Sequence, residues 1–125
     1  MNRETLFEYV ARQYGTEPEH PWATDPDSAV LRHADNGKWY AVVMRVPRFR
    51  LGSNGEECVD IVNVKCDPLL TGSLRMLPGV LPAYHMNKTH WITLLLDGSV
   101  ADDTVQELIN VSYSLTVPRQ KPKKA

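Results

Sequence analysis

Tyr84-His85-Met86-Asn87-Lys88-Thr89-His90-Trp91 places two imidazoles, an ammonium, an amide, a phenol and an indole in eight consecutive residues. Such a set offers hydrogen bonds, charge and aromatic faces within one short segment. Four chemistries compete for it. One is binding of a phosphate or a partner, with Lys88 as the phosphate contact. A metal would use His85 and His90, but their spacing on a turn or strand defines no ligand geometry, and a third ligand would have to come from Cys66 or Asp67. A nucleophile would be Cys66 beside Lys65 with a histidine as base, although a cysteine at a strand end is more often a small buried hydrophobe. The fourth reading is structural: Asn87 shapes a turn, His85 and His90 satisfy backbone groups, and Trp91 begins a strand. No nucleophile, base and orienting group form a set, so neither an enzyme nor a metal or cofactor is expected.

The second chemical stretch is Arg45-Val46-Pro47-Arg48-Phe49-Arg50, which leads into Gly52-Ser53-Asn54-Gly55. It reads as the stem of a projecting β-wing, with Arg48 and Arg50 on one face of a strand and Phe49 on the other. Pro47 marks an edge or a bulge. Guanidinium groups suit phosphates and guanine edges, and a projecting hairpin can lie along a groove. Glu56 and Glu57 sit just across the turn and offer the opposite outcome, a hairpin that neutralises itself.

The elements that must position these residues follow from periodicity and punctuation. Asn2 can cap a helix over residues 3–14, whose Leu6, Phe7, Val10, Ala11 and Tyr14 form one buried stripe that Gly15 ends. Residues 29–34 and 39–46 are strand-like, and Asp35-Asn36-Gly37-Lys38 between them is a hairpin signal. A third strand runs from about Cys58 to Lys65. Asp67-Pro68 starts a short helix that Pro78-Gly79 stops. Val80 to Tyr84 and Trp91 to Leu96 are further strands. Ser99 can cap a last helix near 100–115, with Val105, Leu108, Ile109, Ser112 and Tyr113 inward and Asp102 and Asp103 in its positive first turn.

The order is therefore α-β-β-β-α-β-β-α: an α+β fold, a two-layer sandwich of an antiparallel sheet with helices packed on it. Period-2 alternation turns Ile92, Leu94 and Leu96 toward the helices and Trp91, Thr93 and Leu95 away. Trp39, Ala41 and Val43 pose the same question. If helices cover one face only, an open face carrying tryptophans is a surface for a protein partner or for self-association. A covering loop or tail is the alternative.

Composition sets the outer limits. With 125 residues, 42% hydrophobic and 23% charged, the chain is one globular domain with its own core. No apolar run approaches the ~18–20 residues of a membrane span. Met1 to Thr5 lacks the apolar core of a signal peptide, so Cys58 and Cys66 read as reduced thiols and the expected location is cytoplasmic. The net charge of −1 is an average. Lys and Arg number 14 and Asp and Glu 15, but Arg119, Lys121, Lys123 and Lys124 fall in residues 118–125 with no acid, which leaves residues 1–117 at −5. The domain is thus 1–117 and mildly acidic, and 118–125 reads as a disordered basic tail. Binding to a polyanion by bulk charge is excluded; binding by a local patch is not.

Lys65-Cys66-Asp67-Pro68, Pro78-Gly79-Val80, the Tyr84-to-Trp91 string, Leu96-Asp97-Gly98-Ser99-Val100 and Ser112-Tyr113 together resemble the MmcQ/YjbR family of small bacterial proteins. The resemblance is carried most specifically by His85, Asn87, Lys88, His90 and Trp91. It implies a compact α+β domain of the double-wing or secretion-chaperone-like kind, commonly labelled DNA-binding by analogy of fold. Leu69-Leu70-Thr71-Gly72 departs from the family's acidic helical stretch, and the hairpin from Arg48 to Glu57 is longer than usual.

Two expectations result. The first is a module for double-stranded DNA that contacts phosphates through Arg45, Arg48, Arg50, Lys65 and Lys88, with the basic tail 118–125 adding nonspecific affinity. The second is a protein-interaction or chaperone-like domain that uses an open sheet face around Trp39 and Trp91.

Overall fold

The protein was analysed as a computed structural model, which describes residues 1–117; the basic segment 118–125 lies outside them. The elements are α1 (Arg3–Tyr14), β1 (Ala29–Arg32), β2 (Trp39–Pro47), β3 (Cys58–Lys65), α2 (Thr71–Leu74), β4 (Val80–Pro82), β5 (Trp91–Leu95) and α3 (Asp102–Leu115). All strand pairs are antiparallel, in the order β1-β2-β3-β5-β4. The α+β class and the element order are those the sequence predicts.

Local chemistry accounts for α1. Asn2 Oδ1 accepts the Thr5 N–H at 2.9 Å while Thr5 Oγ1 accepts the Asn2 N–H at 2.9 Å, a reciprocal cap for two otherwise orphaned donors. At the other end Gly15 adopts φ 66 and donates to the Ala11 and Val10 carbonyls. α1 lays Leu6 and Val10, and α3 lays Val105, Leu108 and Ile109, on one face of the sheet. That face is built from two cross-strand rows read through the register: Ala29, Val43, Val62, Leu94 and Val80, then Leu31, Ala41, Val64 and Ile92. A register slip between Leu31 and Arg32 lets Tyr40 join this core as well.

The short helix expected from Asp67-Pro68 begins only at Thr71, because Asp67 Oδ1 accepts the Leu69 N–H at 2.9 Å and shapes a turn instead of capping it. Three further local expectations change. Ser99 does not cap α3: its N–H and hydroxyl both bond Asp97 Oδ1, so Ala101 takes the cap position without a side-chain bond. The wing strand stops at Pro47. Arg48 to Leu51 instead forms one 3-10 turn closed by Gly52 at φ 85, so Arg48 and Arg50 do not share a strand face.

The third change concerns the outer sheet face, which is not open. Val42, Asn63, Ile61 and Thr93 on it are all buried. Leu51 of the wing and Tyr84 pack over Val46, Val59 and Ile61, and Glu19 pairs with Val30 in an isolated bridge. The chain's own loops therefore occupy the face that two helices leave uncovered. Trp91 is half-buried, and only Trp39, 40% exposed, keeps a large apolar surface there, edge-on to Trp22. Among the described residues no helix is long and apolar enough to cross a membrane.

Candidate functional site

The segment 83–90 is anchored at both ends before it offers anything to solvent. Thr93 Oγ1, fully buried on β5, accepts the Tyr84 N–H at 2.8 Å and donates to Asn63 Oδ1; Asn63 Nδ2 in turn donates to the Tyr84 carbonyl at 2.9 Å. This closed set of buried polar groups latches the segment onto the outer sheet face. At its far end Asn87 Oδ1 accepts the Thr89 N–H at 2.8 Å and the His90 N–H at 3.2 Å, and the His90 carbonyl accepts the Cys66 N–H at 2.8 Å. Arg75 donates to the Lys88 carbonyl. Asn87 thus shapes the turn, as the structural reading of the motif holds.

The histidines behave differently from that reading. His85 and His90 are exposed, and neither ring makes a hydrogen bond among the described residues. His85 stands at φ 59, a left-handed conformation that turns the chain sharply beside Tyr84. Its ring lies 4.1 Å from the Tyr84 ring, at 64°.

The five cations that sequence places in a phosphate-binding set separate. Arg45 follows Val43 on the helix-covered face and lies 3.8 Å from Asp60, which Arg3 also contacts at 3.1 Å. Arg48 is held between Glu57 at 3.3 Å and Asp97 at 3.1 Å. Lys65 is half-buried at the end of β3 opposite Trp91. Arg50 and Lys88 alone converge: both line a groove of about 450 Å³ between the wing and the motif segment, with His85 and Tyr84 between them. Among the described residues the groove lining contains no Asp or Glu, and neither Arg50 nor Lys88 enters an ion pair. Phe49 lies under the Arg50 guanidinium, 5.8 Å from its carbon.

Asp97, which takes Arg48 out of the set, stands 49 positions away in sequence and leaves no local signal. Burial pushes its carboxyl up, but bonds from the Ser99 hydroxyl and N–H and from Arg48 outweigh burial and hold it below the usual carboxylate range. The latch residues did carry a signal that sequence reasoning missed. Asn63 interrupts the apolar run Ile61-Val62-Asn63-Val64, and a polar side chain in a buried strand needs a partner. Cys66 is sealed in the main core, and burial pushes its thiol up by more than Arg75 draws it down, which leaves a poor nucleophile. No group of three His, Cys, Asp or Glu side chains able to hold a metal occurs among the described residues.

Comparison with known proteins agrees with this architecture. The YjbR family model matches residues 11–115. The uncharacterized protein YyaQ of Bacillus subtilis (strain 168) is 40% identical over 116 residues, which span 93% of this chain and 98% of YyaQ. The uncharacterized protein YjbR of Escherichia coli (strain K12) is 39% identical over 66 residues, 50% of this chain and 56% of its own. A crystal structure of a Pseudomonas syringae protein superposes with a TM-score of 0.91 at 49% identity, covering 93% of this chain and 99% of that one. A Deinococcus radiodurans protein with a DUF419 domain shares the fold, with a TM-score of 0.71 at 23% identity, covering 98% of this chain and 83% of its own. On the strength of the family match along most of its length, the chain belongs to the YjbR family.

Proposed function

We propose that this domain is a binding module, not an enzyme, that grips the sugar–phosphate backbone of double-stranded DNA in the groove between the wing and the motif segment. The observation that supports the reading is the convergence of Arg50 and Lys88, 38 positions apart, with His85 in a groove lined by no carboxylate among the described residues. Two cations without an ion pair among the described residues offer two phosphate contacts in one groove, and the Arg50 fork can bridge two oxygens of one phosphate. The reading narrows the set of contacts. Arg45 and Arg48 already neutralise carboxylates and contribute little, because displacing an existing ion pair offsets what a phosphate contact adds.

The test is duplex binding across a salt series. Two phosphate contacts contribute about −2 to the slope of log K against log salt. Arg50→Ala with Lys88→Ala should reduce the magnitude of the slope by about 2, whereas Arg45→Ala should leave it unchanged. An absence of binding at low salt, or binding indifferent to Arg50 and Lys88, refutes the proposal.

A protein-interaction role has one observation in its favour, the edge-on pair of Trp22 and Trp39, both more than a third exposed. Self-association through that pair predicts a dimer that Trp39→Ala dissolves. A monomer at all concentrations counts against it.

A further inference from the structure

A second cavity, of about 420 Å³, opens where the end of α1, the β1–β2 turn and the end of α3 meet. One wall is aromatic. Tyr14 and Tyr113 stack with centroids 3.7 Å apart and 7° between their planes, and the His33 ring lies 4.1 Å from Tyr113. His33 lines the cavity although it is only 3% exposed.

Hydrogen bonding assigns the tautomer of this histidine. Its Nε2 lies 3.1 Å from the Tyr113 carbonyl and 2.8 Å from Thr116 Oγ1. A carbonyl can only accept, and the Thr116 hydroxyl directs its own proton to the Ser112 or Tyr113 carbonyl. Nε2 therefore carries the proton, and the neutral ring keeps its lone pair on Nδ1. Nδ1 has no hydrogen-bond partner among the described residues. A buried acceptor without such a partner, on a residue that lines the cavity, is what an incoming donor requires.

The surrounding charge selects the kind of donor. Glu17 and Asp35 line the cavity and enter no ion pair among the described residues. Arg32, the one cation in the lining among the described residues, is clamped by both oxygens of Glu19. Residues from the last turns of α1 and α3, Tyr14 and Tyr113, line the cavity, and a helix C-terminus favours a positive charge.

We propose that this cavity binds a small organic cation bearing N–H bonds, a primary ammonium group. It donates to His33 Nδ1, places its charge between Glu17 and Asp35, and rests its carbon chain on the Tyr14 and Tyr113 wall. The site is separate from the cationic groove, which would repel the same ligand, so the two readings stand or fall apart.

The probe is n-propylammonium, titrated into the ¹⁵N-labelled full chain at low ionic strength and about pH 8, where a primary amine is still charged. The expected result is a saturable shift of the Gly15, Thr16, His33 and Gly37 amides together with the His33 Nδ1 resonance. Tetramethylammonium, which has charge but no N–H, and propan-1-ol, which has a donor but no charge, should each bind roughly tenfold more weakly. Glu17→Gln with Asp35→Asn should weaken propylammonium by roughly tenfold, since two charges are lost. Asparagine at position 35 retains the oxygen that accepts the Asn36 N–H, so the turn should survive. Unsaturable or scattered shifts, equal affinity for the three probes, or a double variant that binds like the wild type would overturn the proposal.

Discussion

Replacing Thr93 by valine tests whether the buried latch positions the motif segment. Valine keeps the β-branch that suits a central strand and exchanges one hydroxyl for a methyl. That hydroxyl accepts the Tyr84 N–H and donates to Asn63 Oδ1 at a site with 0% exposure. Without it, one donor and one acceptor lose their bonds inside the sheet packing. Each unsatisfied buried group costs about 1–3 kcal/mol, so the loss is about 2–6 kcal/mol, reduced by less than about 1 kcal/mol for the added methyl. Thr93→Ser is the control, because it retains both bonds and loses only a methyl, about 1 kcal/mol. In urea, with a slope of about 1–3 kcal/mol per molar, the valine variant should unfold about 1–2 M earlier and the serine variant about 0.5 M earlier. Hydrogen exchange at the Tyr84 amide should accelerate in the valine variant alone. Duplex binding should fall with it, since His85 and Lys88 depend on this segment for their place beside Arg50. A valine variant as stable as the serine variant, with Tyr84 still protected, would show that the latch does not hold the segment.

Other perturbations follow from single observations. Gly79 has φ +77, and a Cβ there would lie 2.4 Å from Ser99 Oγ and 2.6 Å from Val100 Cγ2. Gly79→Ala should therefore cost about 2–4 kcal/mol from backbone strain and overpacking, and a thermal midpoint equal to that of the wild type would refute this. Asp97 should be visible in acid. A carboxyl held below its unfolded value of 3.8 adds stability that is fully present above that value and lost as pH falls through the lower folded value. The stability gap between wild type and Asp97→Asn should therefore stay constant from neutral pH to about pH 5 and close below pH 3.8. A gap that stays constant down to about pH 2 would contradict the assignment.

Much of the fold was legible because its signals are local. The Asn2 cap and the Gly15 stop bound α1 without reference to anything distant, and the Asn36-Gly37 turn needs only the φ freedom of its own residues, with Gly37 at φ 69. The wing was misread for an equally physical reason. Arg48-Phe49-Arg50 alternates like a strand, yet Pro47 supplies no N–H to extend the ladder, and Gly52 and Gly55 at positive φ allow the chain to reverse early. Arg48 bonds the Glu57 carbonyl once and the backbone then tightens into the 3-10 turn.

The candidate site was legible in its ingredients and not in its membership. Lys88 and His85 belong to the motif and Arg50 to the wing, but nothing in their spacing says that these three meet while Arg45 and Arg48 do not. Sequence by itself determined the element order, the limits of α1 and the acidic net charge of residues 1–117, since propensity, capping and composition act within a few residues. Tertiary structure alone decided which charges stay unpaired and which sheet face is covered. Ion pairing and burial depend on residues such as Asp97 and Thr93, brought to Arg48 and Asn63 across 49 and 30 positions by the sheet register. A Coulomb interaction falls with distance through space and takes no account of distance along the chain.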